Sequence, residues 1–258
     1  MSNIELPVLH PLVGGAPPEW ASAWGQDRFG VWVEFVFDGV VQRMRWIRPG
    51  RFMMGSPETE KGRFGNEEEH EVVLTSGYWL ADTPCTQELW AAVMGENPAR
   101  FKGKSLPVET VNWTDARNFL DRINSKVSGL NLRLPSEAEW EYACRAGTAT
   151  AFSFGDSISK KKANFSGQQT LPVKNFKSNS WGLYDMHGNV WEWCEDWYAD
   201  YEKGPVFNPL GPAKGSYRVF RGGGWSVNAR RVRSACRCNL EPESRYYFLG
   251  FRFARGQE

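Results

Sequence analysis

The side chains best suited to chemistry are five cysteines (Cys85, Cys144, Cys194, Cys236, Cys238), three histidines (His10, His70, His187) and the carboxylates flanking His187. Cys236 and Cys238 stand two residues apart, so on a strand their thiols share a face. That placement permits a soft metal ion without requiring one. His10 and His70 lack partners at metal-ligand spacing, and His187, beside Gly188-Asn189, reads as a turn residue rather than a catalyst. Asp185 and Glu192 could supply hard oxygen ligands, with turn carbonyls between them, as calcium demands. Equally, both could accept backbone or arginine hydrogen bonds. No Cys-x-x-Cys, His-Glu-x-x-His, phosphate-binding loop or Gly-x-Ser-x-Gly is present. The odd, unevenly spaced cysteines outline no disulfide framework.

Residues 1–30 are expected to form an irregular lead-in, Pro- and Gly-rich over its first part. The alternating runs VWVEFVF and VVQRMRWI then flank Asp38-Gly39, a pair suited to a two-residue turn with positive φ, which predicts a hairpin over 31–47. GRFMMGS reads as a strand closing in a turn, PETEKGRFGNEEEH as a charged surface loop, and EVVLTSGYWLA as one strand. Three helices follow. TQELWAAVMG runs from Thr86 to Gly95. TDARNFLDRINSK opens with Thr114 and puts Ala116, Phe119, Leu120 and Ile123 on one face. SEAEWEYACRAG carries Ser136 as N-cap with Glu139 three residues on, and stops at Gly147. From residue 148 onward Gly, Asn, Ser and Pro recur every few positions, so strands should be short and loops long. No internal repeat or linker interrupts the chain, which predicts one domain over 1–258.

The composition suits that picture. With 258 residues, 41% hydrophobic and 24% charged, the chain can bury a substantial core. Thirteen Trp and 16 Phe alongside 26 Gly and 15 Pro point to a loop-rich fold pinned by large rings. A net charge of +1 speaks against nucleic acid or an anionic membrane as partner. No run approaches the roughly 20 apolar residues needed to span a bilayer, and the start has no secretory pattern. The expectation is a cytoplasmic protein with reduced thiols.

Five ordered blocks carry a family resemblance: GRFMMGS, LPVETVNWTDARNFL, LRLPSEAEWEYACRAG, NSWGLYDMHGNVWEWCEDWY and RVFRGGG…LGFRFAR. Over about residues 45–254 the chain resembles the formylglycine-generating-enzyme type of C-type-lectin-like domain, the sulfatase-modifying factor family. That resemblance implies an α+β fold with a twisted antiparallel sheet, a few helices and long loops. It also implies a structural calcium site at Asp185, Gly188, Val190 and Glu192, with no cofactor otherwise required. Tryptophans 191 and 193 are expected in the core, on the face opposite Glu192. Oxidases of the family bind copper(I) through two cysteines five apart after the Gly-Gly of the last block; here those positions are Val227 and Val232. Valine offers neither ligand nor redox chemistry, so an oxidase is not expected.

The last block, residues 218–254, resembles a particular branch: the variable proteins of diversity-generating retroelements, whose C-terminal segment is rewritten by adenine-directed mutagenic reverse transcription. The frame kept here is Arg221-Gly222-Gly223, Trp225, Asn228-Ala229-Arg230, Arg233-Ser234-Ala235, Arg237 and Leu249-Gly250-Phe251-Arg252. Between its members lie Ser226, Val227, Cys236, Cys238, Asn239, Leu240, Tyr246, Tyr247 and Phe248, with Asn228 as a further variable position. All are reachable by mutating the adenines of an AAC codon, and none of the unreachable types (Lys, Glu, Gln, Met, Trp) occurs among them. The resemblance implies a hypervariable surface that binds a protein or small-molecule ligand, on a monomeric, non-catalytic domain. Two alternatives stand beside it: a metal-dependent enzyme of the same fold using other residues, such as Cys236 and Cys238 with copper, and an invariant interaction module.

Overall fold

The structure, a computed structural model, describes Leu12 and residues 17–256. Among the described residues, twelve strands form three sheets, with three helices packed between and around them. The first sheet begins with β1 (Ala23–Asp27), β2 (Gly30–Phe37) and β3 (Val40–Ile47). The predicted hairpin is present, and its turn residues Asp38 and Gly39 take φ of 47° and 78°. The lead-in expectation needs correcting: residues 23–27 form a strand in register with β2. Residues 1–11 and 13–16 of that segment, with His10, lie outside the described residues.

A second correction concerns EVVLTSGYWLA, which is two strands. β5 (His70–Leu74) pairs antiparallel with β4 (Gly50–Met54), whereas β6 (Tyr78–Ala81) joins β3 in the first sheet. Gly77 allows the change of sheet, because a Cβ there would sit 2.2 Å from the Trp46 ring. The helices fall where periodicity puts them: α1 (Gln87–Met94), α2 (Trp113–Lys126) and α3 (Glu137–Arg145). Thr86 and Ser136 cap the first and third, and Ser136 forms the expected capping box with Glu139. At α2 the box is made by Asn112 and Asp115, while the Thr114 hydroxyl donates to Glu243 at 2.9 Å. The left-handed C-cap of α3 is Ala146, with Gly147 also at positive φ.

The second sheet is ordered β10-β9-β7-β11 and comprises β7 (Trp191–Trp197), β9 (Arg218–Arg221), β10 (Arg237–Leu240) and β11 (Leu249–Phe251). Pairing is antiparallel except between β11 and β7. β8 (Val206–Phe207) runs parallel to β5 in the third sheet. β12 (Ala254–Gly256) closes the first sheet against β6. The C-terminal segment therefore crosses two sheets within a few residues, and is anchored before and after its variable stretch.

The core is aromatic. Trp90 stacks on Phe119 at 5.4 Å, and Phe251 meets both edge-on. Trp191 and Trp193 are buried as expected, but Glu192 is buried too, so both faces of β7 are internal. The loop over 57–70 also departs from expectation. It is charged, yet Glu67 and Ser56 at its base are fully buried because the loop folds onto the C-terminal segment. No helix among the described residues is long and apolar enough to cross a membrane.

Candidate ligand-binding surface

Four arginines of the C-terminal frame are buried, and each is held by carboxylates. A guanidinium taken out of water needs matched charge and a full set of acceptors. Arg221 donates to Glu137, Glu141 and the carbonyls of Ser234 and Ala235. Arg233 grips Glu67 with both terminal nitrogens, at 2.8 and 2.6 Å, and also reaches Glu60. Arg237 pairs bidentately with Glu137 and donates to the Ala199 carbonyl. Arg252 pairs with both oxygens of Glu192 at 2.6 and 2.7 Å, and its remaining hydrogens go to the Ala81 and Tyr184 carbonyls.

Glycines complete the frame. Gly223 has φ of 76°, and a Cβ there would lie 2.4 Å from Val232, so neither backbone nor space admits another residue. Trp225 Nε1–H donates to the Tyr247 carbonyl at 3.2 Å and the ring meets Phe101 edge-on, tying the two halves of the segment together.

The variable positions are held mainly by backbone. Val227 carbonyl accepts from Ser166 N–H at 2.8 Å. Tyr246 carbonyl accepts from Thr110, and Phe248 carbonyl from Trp191. Those bonds run from main-chain carbonyls and do not depend on the side chains at these positions. Ser226, Asn228, Tyr246 and Tyr247 are exposed; Val227, Cys238, Asn239, Leu240 and Phe248 are half-buried. The aromatic run forms a small stack. Tyr246 and Phe248 lie parallel at 5.0 Å, and the Arg100 guanidinium sits 4.6 Å over Tyr247. Cys238 and Asn239, on the edge strand β10, border a cleft of about 400 Å³ with Phe64, Asn66, Phe220 and Arg231.

Cys236 is the exception. It is fully buried in the main core, so it cannot contact a ligand at the surface, and its place in the binding set is corrected. The two thiols do share a face: Cys236 donates to Cys238, and Arg231 donates to Cys238 Sγ at 3.6 Å. The hydrogen bond from Cys236, then the nearby arginines, hold Cys238 below the usual thiol range, while donation to Cys238 and burial push Cys236 well up. All five cysteines are free thiols.

The implied calcium site does not fit these residues. Glu192 already accepts two bonds from Arg252 and a third from the Trp140 indole at 2.7 Å, so a guanidinium neutralises it. Asp185 accepts the Lys174 backbone N–H at 3.0 Å, and desolvation raises its carboxyl to about 6. Gly188 and Val190 add no charge. Among the described residues no three acidic, histidine or cysteine side chains converge as metal ligands.

His187 is more than a turn residue. Its Nδ1–H donates to the Val232 carbonyl at 2.8 Å, and Nε2 accepts from the Ser153 N–H and hydroxyl at 3.1 and 2.8 Å. Burial lowers its pKa to about 4, so the neutral ring is a fixed clamp beneath the variable segment. Sequence reasoning also missed Phe64, Arg231 and Arg100 as neighbours of the variable residues. Phe64, a single ring in a charged stretch, was the one visible signal.

A model of the sulfatase-modifying factor enzyme 1-like domain matches residues 37–257. The chain is 34% identical over 244 residues to a serine/threonine-protein kinase, pkn1, of Chlamydia caviae, covering 83% of this chain and 38% of that protein. It thus spans well under half the length of that relative. To the formylglycine-generating enzyme of Streptomyces coelicolor it is 32% identical over 227 residues, 76% of this chain and 70% of the enzyme. Among solved structures, Treponema denticola variable protein 1 superposes with a TM-score of 0.79 at 32% identity, covering 87% of this chain and 98% of the other. The folds agree in their C-type-lectin-like α+β architecture. On these grounds the chain belongs to the sulfatase-modifying factor, or formylglycine-generating-enzyme-like, family.

Proposed function

We propose that this protein binds a protein or small-molecule ligand through Ser226, Val227, Asn228, Cys238, Asn239, Leu240 and Tyr246–Phe248, and that a retroelement diversifies those positions. The observation that carries the reading is the division within one segment. Paired arginines lie inward, and all but Cys236 of the variable positions between them reach the surface at least in part. The likeness to Treponema denticola variable protein 1 over most of both chains supports it. So does the tyrosine-rich stack, since tyrosine gives large contact area at small rotamer cost. We read the domain as non-catalytic: the half-buried Val227 and buried Val232 pack with an apolar cluster around Phe152 and Phe165, where the oxidases carry cysteines. The unpaired thiols support a reducing compartment, the cytoplasm. A single compact chain acting as a monomer completes the proposal.

The test is genetic and biophysical. A near-copy of codons 221–252 beside a reverse-transcriptase gene, with AAC at the variable positions, is expected in the source genome. Exchanging the surface positions together should change the bound partner while leaving the melting temperature within a few degrees. A large loss of stability would overturn free exchangeability. A second reading is copper(I) binding by Cys236 and Cys238, two residues apart, the second bordering the cleft beside Arg231. Stoichiometric copper(I) binding lost in the Cys236→Ser/Cys238→Ser double variant would establish it.

A further inference from the structure

A second cleft, of about 430 Å³, opens where the end of β7 meets the start of α3, under the segment running from 199 to 212. We infer that it is a binding site for a small organic cation, a primary ammonium group carried on an apolar body.

The floor of the cleft is built to accept hydrogen bonds. Asp196 is 4% exposed, yet only one of its oxygens is used, by the Glu137 backbone N–H at 2.8 Å. The other, Oδ1, has no partner among the described residues and is not sealed off by protein. Gly211 passes close above it, where a Cβ would stand 3.6 Å away. An otherwise buried carboxyl that keeps one oxygen open to the cleft offers that oxygen to a donor from a ligand. His70, 7% exposed, supplies a second acceptor. Its Nδ1 faces the Glu68 carbonyl at 3.0 Å and must donate there, so Nε2 is the ring nitrogen left for a ligand.

The charges around the floor select the sign of the ligand. Asp196, Asp200 and Glu202 line the cleft, and no lysine does. Arg237 is committed to Glu137 and the Ala199 carbonyl, and lies against the Tyr201 ring at 3.9 Å. The first amide of α3, which could have attracted an anion, is already taken by Asp196. Met54, Val206, Phe207 and Leu210 form apolar walls, and Phe207 and Leu210 stand exposed at the lip. An apolar body between such walls and a cationic head on the floor suits a cavity of this size. Burial, with the Glu137 carboxylate second, keeps Asp196 protonated well above the usual range.

Benzylamine, methylamine and neutral benzyl alcohol are the probes, titrated calorimetrically into the full chain at neutral pH. Benzylamine should bind 1:1, and benzyl alcohol at least about tenfold more weakly, the scale of a lost charged hydrogen bond. Asp196→Asn, which keeps the acceptor for Glu137, should lose about tenfold in benzylamine affinity. Leu210→Trp, at an exposed lip residue that folding does not need, should weaken benzylamine more than methylamine and keeps the test open if Asp196→Asn fails to fold. Absence of saturable benzylamine binding, equal binding of the alcohol, or unchanged binding in the folded variants would overturn the proposal. None of these results bears on the variable surface, which is tested separately.

Discussion

The frame and the variable positions alternate along one stretch of chain, yet they follow opposite physical rules. Arg221, Arg233, Arg237 and Arg252 are almost wholly buried and bonded to carboxylates and carbonyls. Tyr246 and Tyr247 are 40% and 37% exposed, and the hydrogen bonds that anchor them are taken by their backbone carbonyls. Specificity of fold comes from a few costly polar contacts that tolerate no substitution. Freedom of surface comes from leaving side chains out of the holding scheme. A domain organised this way separates the stability of the scaffold from the identity of its binding face.

The sharpest way to break that contrast is to remove one frame cation. Arg252→Met leaves Glu192 buried beside a single indole donor, and should cost about 3–5 kcal/mol, read as a fall in the urea midpoint. The double variant Arg252→Met/Glu192→Leu should recover much of the loss, because an apolar pair avoids the stranded charge. Calcium or a chelator should leave the wild-type midpoint unchanged, since the guanidinium already balances Glu192. A slightly smaller effect is expected from His187. Its folded pKa of about 4 lies below the unfolded value of 6.5, so the unfolded chain binds the extra proton between those limits. The clamp's stability is therefore present above pH 6.5 and lost as pH falls towards 4, by about 3 kcal/mol in all. Asp185 slopes the other way, because its raised pKa of about 6 makes stability fall as pH rises from 3.8 to 6. Wild type can thus look flat across this window. The difference between wild type and His187→Gln, measured by denaturant titration, should widen as pH rises from 4 to 7. A difference independent of pH would remove His187 as a titrating clamp.

Much of this was legible in the residues. The Asp38-Gly39 turn, the caps at Thr86 and Ser136 and the apolar stripe of α2 are local signals, set within a few positions of chain. The frame and the intervening residues were visible through family likeness and codon logic. What stayed hidden depends on partners distant in sequence. Glu67 reads as surface until Arg233, 166 residues later, is brought onto it. Asp185 and Glu192 have oxygen-ligand chemistry, and only the tertiary pairing of Glu192 with Arg252 decides against a cation. Cys236 and Cys238 look equivalent on a strand sharing one face, because alternation says which way a side chain points and not how much lies above it. The cleft at Asp196 had no signal at all, since its walls come from five separate stretches of chain.

That last pair of cysteines gives the finest test of where the frame stops and the exchangeable surface begins. Both positions are AAC-reachable, both thiols face the same way, and they are hydrogen-bonded to each other. They differ in cover: Cys236 is fully buried in the aromatic core, and Cys238 is half-buried at the cleft beside Arg231. Cys236→Ser places a hydroxyl in an apolar site and should cost about 1–3 kcal/mol, the penalty of a poorly paired buried polar group. Cys238→Ser keeps contact with water and should change stability by no more than about 0.5 kcal/mol, as surface substitutions do. Thiol alkylation under native conditions should likewise modify Cys238 first. Equal costs and equal reactivity would mean that burial does not divide the segment, and that the holding scheme extends to the binding face itself.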